Sequence, residues 1–140
     1  MARLYKSICY CTNMWRSANI LNSYYDDVLK EMDLTVSQYY LLVNLLRMEK
    51  ANITHWADAV GLERSTMVRN TRQLLKRALI EETEGNGKTY KLSEKGEDIL
   101  QKAIPLWEKT QKQMEEFLGA EDAEAILRIG SKLQHFSWNQ

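Results

Sequence analysis

The chain contains 140 residues, of which 27% are charged and 44% hydrophobic, a composition typical of globular domains and unlike that of disordered or collagen-like chains. Nineteen basic and nineteen acidic residues give a formal net charge of zero, which excludes a uniformly basic coat but leaves room for a local basic patch. No apolar run is long enough to span a membrane, and two cysteines are too few for a disulfide framework.

The first segment, residues 4–32, has the pattern of one long amphipathic helix. Its apolar residues recur at spacings of three, four or seven, which places them along one stripe of a helix. Since a helix cannot bury a stripe against itself, we expect other helices or a second chain to cover it. A break follows at residues 34–38, where Thr35 or Ser37 can cap the next helix by accepting a hydrogen bond from a backbone amide.

Three helices are predicted in quick succession after that break. The first covers the apolar run at 39–48. The second covers residues 55–60 and ends at Gly61, which can adopt the left-handed conformation common at a helix C-terminus. The third covers residues 63–79 and carries five basic residues and no acidic one between 64 and 79, a local charge of +5.

A small two-stranded β-ribbon is predicted to follow the basic helix. Asn86 and Gly87 lie between two short runs of residues, and both tolerate the positive φ angles that a type I′ turn requires. The ribbon completes the order helix, short helix, basic helix, ribbon, which is the order of a winged helix-turn-helix.

Two more helices are predicted after the ribbon. Ser93 is a candidate N-cap for the first, Pro105 is expected to kink it, and Gly119 is its expected end. Residues 94–124 contain nine acidic and four basic residues, so the neutral total hides a basic middle and an acidic C-terminal part.

The basic helix supplies the candidate contacts to DNA. One α-helix fits the major groove of duplex DNA, where its side chains reach base edges, and guanidinium groups suit guanine edges or phosphates. The candidate contacts are Arg64, Ser65, Thr66, Arg69, Asn70, Arg72 and Lys76. Arg77 lies further along, as a phosphate contact or a solvated charge. Two alternatives remain: a basic face that is only solvated, and a winged-helix module that binds protein instead of DNA.

Five segments together carry a family resemblance: LTVSQ at 34–38, WADAVGL at 56–62, RSTMVRN at 64–70, LLKRALI at 74–80 and LSEKG at 92–96. They resemble the MarR family of bacterial transcription regulators. The resemblance implies a mainly α fold with a small β-ribbon, in which a winged helix-turn-helix at 34–93 lies between dimerisation helices at 1–33 and 94–140. It also implies a homodimeric repressor on a pseudo-palindromic operator, with its affinity for DNA modulated by a small-molecule ligand or an oxidant.

Two features depart from the family pattern. Ala78 occupies the position of the usual glycine at the end of the basic helix, which predicts a differently shaped helix end. The family's Asp-x-Arg motif at the wing falls on Glu84, Gly85 and Asn86, so its arginine is absent. Lys88 is the basic residue near the wing tip that could replace it in contacting DNA.

Cys11 is a candidate redox sensor. It lies 27 residues before Gln38, a spacing similar to that of the reactive cysteine in the organic-peroxide-sensing branch of the family. Tyr25 falls on the position of one of two tyrosines that hold this cysteine in the partner subunit, whereas the other position is Val36. The competing interpretation is a cysteine on the apolar stripe that is buried as a small hydrophobe.

Three aromatic residues, Trp15, Tyr39 and Tyr40, are candidates for a pocket that binds a small aromatic ligand, although aromatics at helical spacing more often belong to the core. We expect neither an enzyme nor a cofactor or metal site, because no catalytic triad, carboxylate pair or metal-ligand spacing stands out. The first residues lack a secretory signal, so we expect a cytoplasmic protein whose partners are double-stranded DNA and a second copy of itself.

Overall fold

The computed structural model describes residues 7–83, 85 and 87–137. Within that part of the chain it is mainly helical with one small antiparallel sheet, as the sequence predicts, and none of its helices is long and apolar enough to cross a membrane. In chain order the elements are α1 (Tyr10–Leu29), a short 3-10 helix (Lys30–Met32), α2 (Val36–Met48), β1 (Ala51–Asn52), α3 (Ile53–Val60), α4 (Arg64–Lys76), β2 (Ile80–Glu82), β3 (Thr89–Leu92), α5 (Glu94–Leu118) and α6 (Ala120–Gln134).

Helices begin where a side chain can satisfy the free amides of the first turn. Thr35 is the cap of α2, and it forms a reciprocal capping box with Gln38, in which each side chain accepts the other residue's backbone N–H at 3.1 Å. At the start of α3 the Asn52 side-chain oxygen accepts the His55 N–H at 2.8 Å. The predicted cap of α5 is also confirmed, since the Ser93 hydroxyl accepts the Gly96 N–H at 3.0 Å.

The first helix is shorter than the predicted span of residues 4–32. It begins at Tyr10, since residues 7–9 are not helical, and residues 1–6 lie outside the described part of the chain. At the other end the helix tightens into the 3-10 helix, and Asp33 then turns left-handed, with φ of 54°. Its backbone N–H donates to the Lys30 carbonyl at 2.9 Å, which closes the helix end before α2 begins.

The basic helix also ends early, at Lys76 instead of residue 79. Ala78 has φ of 57°, and a right-handed helix cannot continue through a left-handed residue. The helix end therefore has the shape that glycine usually provides, although the residue is alanine.

The sheet contains a third strand that the sequence analysis missed. Strand β3 lies in the middle, with β1 and β2 antiparallel on its two sides, and Ala51 and Glu82 both lie opposite Tyr90. Beyond the ladder of β2 and β3, the Thr83 N–H donates to the Thr89 carbonyl at 2.8 Å. The ribbon is thus confirmed, whereas the predicted turn at Asn86 lies outside the described residues.

A single hydrophobic core joins the winged helix to the helices around it. Its members come from the end of α1, from α2, α3 and α4, from the sheet and from the first half of α5. The core therefore extends past both predicted boundaries of the winged-helix region, since Leu29 lies before it and Leu100 and Ala103 lie after it. Helix α5 continues through Pro105 and ends, as predicted, at Gly119.

Candidate nucleic-acid interface

Helix α4 has one buried and one exposed face. Met67, Thr71 and Leu74 are almost fully buried and fix the helix against the core. The opposite face is exposed. It carries Ser65 and all the basic side chains of the helix, which are Arg64, Arg69, Arg72 and Lys76. Five of the predicted contacts to DNA therefore lie on the exposed face of this helix.

Two of the predicted polar contacts, Thr66 and Asn70, are half-buried and already form hydrogen bonds to other residues of α4. The Asn70 amide donates to the Thr66 carbonyl at 2.9 Å, and the Thr66 hydroxyl lies 3.4 Å from an Arg69 guanidinium nitrogen. An asparagine held in this way keeps its side-chain oxygen as an acceptor, and its amide is oriented by the helix. The structure thus brings Thr66, Arg69 and Asn70 together on one turn.

Helix α3 supports α4 from behind. Trp56 is fully buried, and its indole N–H donates to the Leu41 carbonyl of α2 at 3.1 Å, so α3 is fixed to α2 by packing and by a hydrogen bond. Gly61 then ends α3 with φ of 74°, as predicted, and directs the chain into α4. These contacts place the exposed face of α4 on a rigid base.

The wing presents one predicted contact and a mixed charge pattern. Lys88 is exposed beside the tip. Lys91 is paired with Glu81 across the ribbon at 3.5 Å, with both side chains about half exposed. Glu84 and Asn86, two of the three positions of the absent family motif, lie outside the described residues.

Arg77 differs from the other basic residues of this segment. One guanidinium nitrogen donates to the Gln38 side-chain oxygen at 3.1 Å and another lies 3.3 Å from an Asp33 carboxylate oxygen. The side chain is 26% exposed and therefore belongs to the junction with the α1–α2 connection, not to the solvated face. Charge patterning alone could not reveal this, because it does not show which way a residue just past a helix end points.

Solved structures with the same fold identify the architecture. The M. tuberculosis transcriptional regulator MosR in complex with DNA is 28% identical, with 89% of this chain and 92% of that chain covered and a TM-score of 0.80. The repressor CouR with p-coumaroyl-CoA is 21% identical over 92% and 94%, with a TM-score of 0.84. A cysteine-to-serine mutant of E. coli MarR with operator DNA is 14% identical over 94% and 99%, with a TM-score of 0.79. No protein-family model matches the sequence.

The chain has the MarR-family winged-helix fold. In MosR and in E. coli MarR this fold has been solved on DNA, and in CouR it has been solved with a small molecule. The structural neighbours are transcriptional regulators.

Both cysteines of the chain are exposed at the start of α1. Cys9 is the N-cap residue, and hydrogen bonds from the Thr12 side chain and from the backbone of the first turn hold the pKa of its thiol below the ordinary value. Cys11, the predicted sensor, is the second residue of α1 and is exposed, so in the single chain it is not the buried small hydrophobe of the competing interpretation. Tyr25 is half-buried, and its hydroxyl donates to the Gln111 side chain of its own α5.

The three predicted pocket aromatics have different environments. Tyr39 is buried and stacks on Trp107 with ring centroids 6.1 Å apart, and burial raises the pKa of its hydroxyl to about 12. Trp15 and Tyr40 are exposed. In the single chain Tyr39 is thus a core residue, the alternative that the sequence left open.

Two cavities lie elsewhere in the MarR-family fold. One, of about 670 Å³, lies at the α1–α2 connection, is polar and includes Asp26, Lys30 and Arg77. The other, of about 570 Å³, lies between α1, α5 and α6. Its lining combines apolar residues such as Leu21 and Ile126 with the acidic Glu115, Glu116 and Glu124. Neither cavity includes Trp15, Tyr39 or Tyr40.

Proposed function

We propose that the chain is a bacterial, cytoplasmic transcriptional repressor that binds a pseudo-palindromic operator as a homodimer. The observation that carries this proposal is the exposed face of α4, which concentrates basic side chains on a helix whose other face is fixed in a winged-helix core. A helix of this kind fits the major groove. MosR, the 28% identical neighbour, has been solved in complex with DNA, which supports the proposal.

The position of each side chain along α4 suggests its role. Arg64, Ser65 and Arg69 lie in the first half, the part of a recognition helix that contacts base edges in helix-turn-helix proteins. Thr66 and Asn70 are held beside Arg69 and supply hydroxyl and amide groups for bases or phosphates. Arg72, Lys76 and the wing residue Lys88 are assigned to phosphates, whose contacts give affinity without sequence preference.

A second copy of the chain is the partner we propose for the terminal helices. All of residues 10–20 except Thr12 are exposed, and so are large apolar side chains of α5 and α6 such as Phe117 and Leu127. An exposed apolar surface of this extent marks an interface. Residues 1–25 contain three basic residues and no acidic one, whereas residues 94–124 contain nine acidic and four basic ones, so the two segments are opposite in charge.

The proposed regulation involves a small-molecule ligand or an oxidant that changes the affinity for DNA. Exposed thiols at the start of α1 support the oxidant version, in which Cys11 is the sensor and Tyr25 of a second copy is its neighbour. The ligand version is supported by CouR, which shares the fold and was solved with p-coumaroyl-CoA. The alternative function, a winged-helix module for a protein partner, is disfavoured by the charge of +5 between residues 64 and 79.

Fluorescence anisotropy with DNA from upstream of the protein's own gene tests the proposal. We expect tight binding that resists unrelated competitor DNA and weakens steeply with salt.

Arg69→Ala should weaken specific binding by about 1–3 kcal/mol if Arg69 reads a base. Equal displacement by any DNA would contradict sequence-specific binding. Peroxide-dependent release that persists in Cys11→Ser would remove Cys11 as the sensor.

A further inference from the structure

Arg77 connects the end of the recognition helix to the connection between α1 and α2. It follows α4 directly, and its guanidinium group contacts the side chains of Gln38 and Asp33 at 3.1 and 3.3 Å. These two acceptors belong to different structures: Gln38 lies in the first turn of α2, and Asp33 ends the 3-10 helix after α1. One planar group thus spans two elements that precede α4 in the chain, the end of the 3-10 helix and the start of α2.

Both sides of this contact are held in place by other hydrogen bonds. On the α2 side, the Gln38 side-chain oxygen also accepts the Thr35 N–H at 3.1 Å, so the capping box orients it. On the α4 side, the Arg77 carbonyl accepts a hydrogen bond from the Lys95 ammonium at 3.0 Å, and the Ala78 carbonyl accepts one from the Ser93 hydroxyl at 2.6 Å. The end of α4 is therefore joined to the start of α2 and to the start of α5.

We propose that Arg77 is a positioning residue for DNA recognition and not a contact to DNA. Its fork fixes α4 relative to the α1–α2 connection, and in a homodimer built on the terminal helices this fixes how the two recognition helices are spaced. The proposal rests on the DNA-binding function proposed above. It assigns to Arg77 a role different from that of Arg72, an exposed arginine within α4 to which the described structure gives no hydrogen-bonding or ionic partner.

The chemistry of arginine and lysine separates the two roles. A phosphate contact needs a positive charge within reach, which lysine also supplies. A link to two acceptors on different elements needs the planar, forked guanidinium group, which lysine cannot reproduce. Arg77→Lys keeps the charge and removes the fork, and Arg72→Lys is the matched control at a site without such a fork.

The test measures operator and unrelated-DNA affinity over a range of salt for lysine and alanine variants at both positions. We expect Arg77→Lys and Arg77→Ala to lower operator affinity alike, by about ten-fold, with an unchanged salt slope and an unchanged affinity for unrelated DNA. Arg72→Lys should bind like the wild type. Arg72→Ala should lose affinity for both DNAs, and its salt slope should fall by about 0.9. Operator binding by Arg77→Lys at the wild-type level, or a smaller salt slope in Arg77→Ala, would overturn the proposal.

A second variant approaches the same contact from its other side. Gln38→Met removes the acceptor for Arg77 but keeps the backbone N–H that donates to the Thr35 hydroxyl oxygen. It also removes the acceptor of the Thr35 N–H, so we expect at least the loss of operator affinity seen in Arg77→Lys. The double variant should lose no more than Gln38→Met alone, because the contact that Arg77→Lys breaks is already missing. Additive losses would show that the two residues act separately and would overturn the proposal even if Arg77→Ala failed to fold.

Amide hydrogen exchange of the free protein tests the positioning role of Arg77 without relying on DNA binding. Arg77→Lys should accelerate exchange of backbone amides in residues 73–79 and in 35–38, whereas Arg72→Lys should leave both segments unchanged. If the wild type binds no DNA specifically, the proposed function fails, and the exchange measurement still decides the positioning role. Unchanged exchange in Arg77→Lys would contradict it.

Discussion

The winged-helix core and the terminal helices differ in how completely one chain buries their apolar residues. Two tryptophans show the contrast: Trp56 in α3 is fully buried, with its indole N–H bonded to a backbone carbonyl, whereas Trp15 in α1 is 65% exposed. Phe117 at the end of α5 is 82% exposed and Leu127 in α6 is 70% exposed. One chain therefore buries the apolar side chains of the winged-helix core almost completely, but it leaves many of those on the terminal helices exposed.

This difference shows that the two regions are specified by different kinds of contact. Around Trp56 the apolar pattern of each helix is satisfied by neighbours within the same chain. In the first half of α1 and in α6, large apolar side chains remain exposed among the described residues. We therefore propose that a second copy of the chain covers them. The stability of the winged-helix core should therefore not depend on protein concentration, whereas the stability of the terminal helices should increase with it.

The largest effect is expected for Trp56→Ala. It removes a fully buried indole and leaves the Leu41 carbonyl without its donor, so we expect the free energy of unfolding to fall by about 3–5 kcal/mol, as for other aromatic truncations in a core. Urea denaturation followed by circular dichroism measures this loss. The loss should be the same at low and high protein concentration.

Trp15→Ala is the matched control in the other region. We expect it to change the unfolding free energy of the single chain by no more than about 0.5 kcal/mol, since the side chain is mostly exposed. Its effect should appear in analytical ultracentrifugation as a weaker dimer. If Trp15→Ala destabilised the isolated chain as much as Trp56→Ala, the contrast between the two regions would be wrong.

Two helical glycines sharpen the comparison by probing close packing. A methyl group on Gly96, in the first turn of α5, would overlap the Leu79 carbonyl oxygen, whereas one on Gly130 in α6 would meet nothing within 4 Å. Gly96→Ala should therefore destabilise the chain by about 1–3 kcal/mol, because backbone must move. Gly130→Ala should stabilise α6 by about 0.5–1 kcal/mol through its higher helix propensity.

Thermal unfolding of both glycine variants at low concentration provides the measurement. Opposite signs are the expected result. A loss of stability in Gly130→Ala that grew with protein concentration would place Gly130 against a second copy. An unchanged stability in Gly96→Ala would show that α5 can move away from the end of α4, which would contradict the tight junction.

The contrast also explains how much could be predicted from the sequence. Helix caps and helix ends depend on a few adjacent residues, so Gly61 and Ser93 were identified correctly and Thr35 was one of the two candidates for the cap of α2. Strand β1 was missed because its two residues, 51–52, are too short to show an alternating pattern and pair with a strand almost forty positions away. Arg77 was expected to be a phosphate contact or a solvated charge, because its acceptors lie far back in the chain and no local pattern reveals such a contact.

Ala78 offers a smaller test at the junction between the regions. Its left-handed φ of 57° is unfavourable for any residue with a Cβ atom, so Ala78→Gly should stabilise the chain by about 0.5–1 kcal/mol. Chemical denaturation measures the gain. As a control, Ala103→Gly in the interior of α5 should destabilise, because there glycine loses helix propensity and buried packing. Destabilisation by Ala78→Gly would contradict the left-handed helix end.

The smallest effect concerns Cys9, at the exposed start of α1. Because hydrogen bonds from Thr12 and the first-turn backbone lower the pKa of its thiol, the thiolate forms at lower pH in the folded chain than in the unfolded one. In a Cys11→Ser background, the pH profile of alkylation by iodoacetamide should therefore shift to lower pH on folding. Thr12→Val removes the largest of these hydrogen bonds and should move the profile back toward that of the unfolded chain. If the alkylation profiles of the folded and unfolded chains coincided, the hydrogen bonds at the start of α1 would not stabilise the Cys9 thiolate. The start of α1 would then be reactive only through exposure, like any other part of the uncovered terminal region.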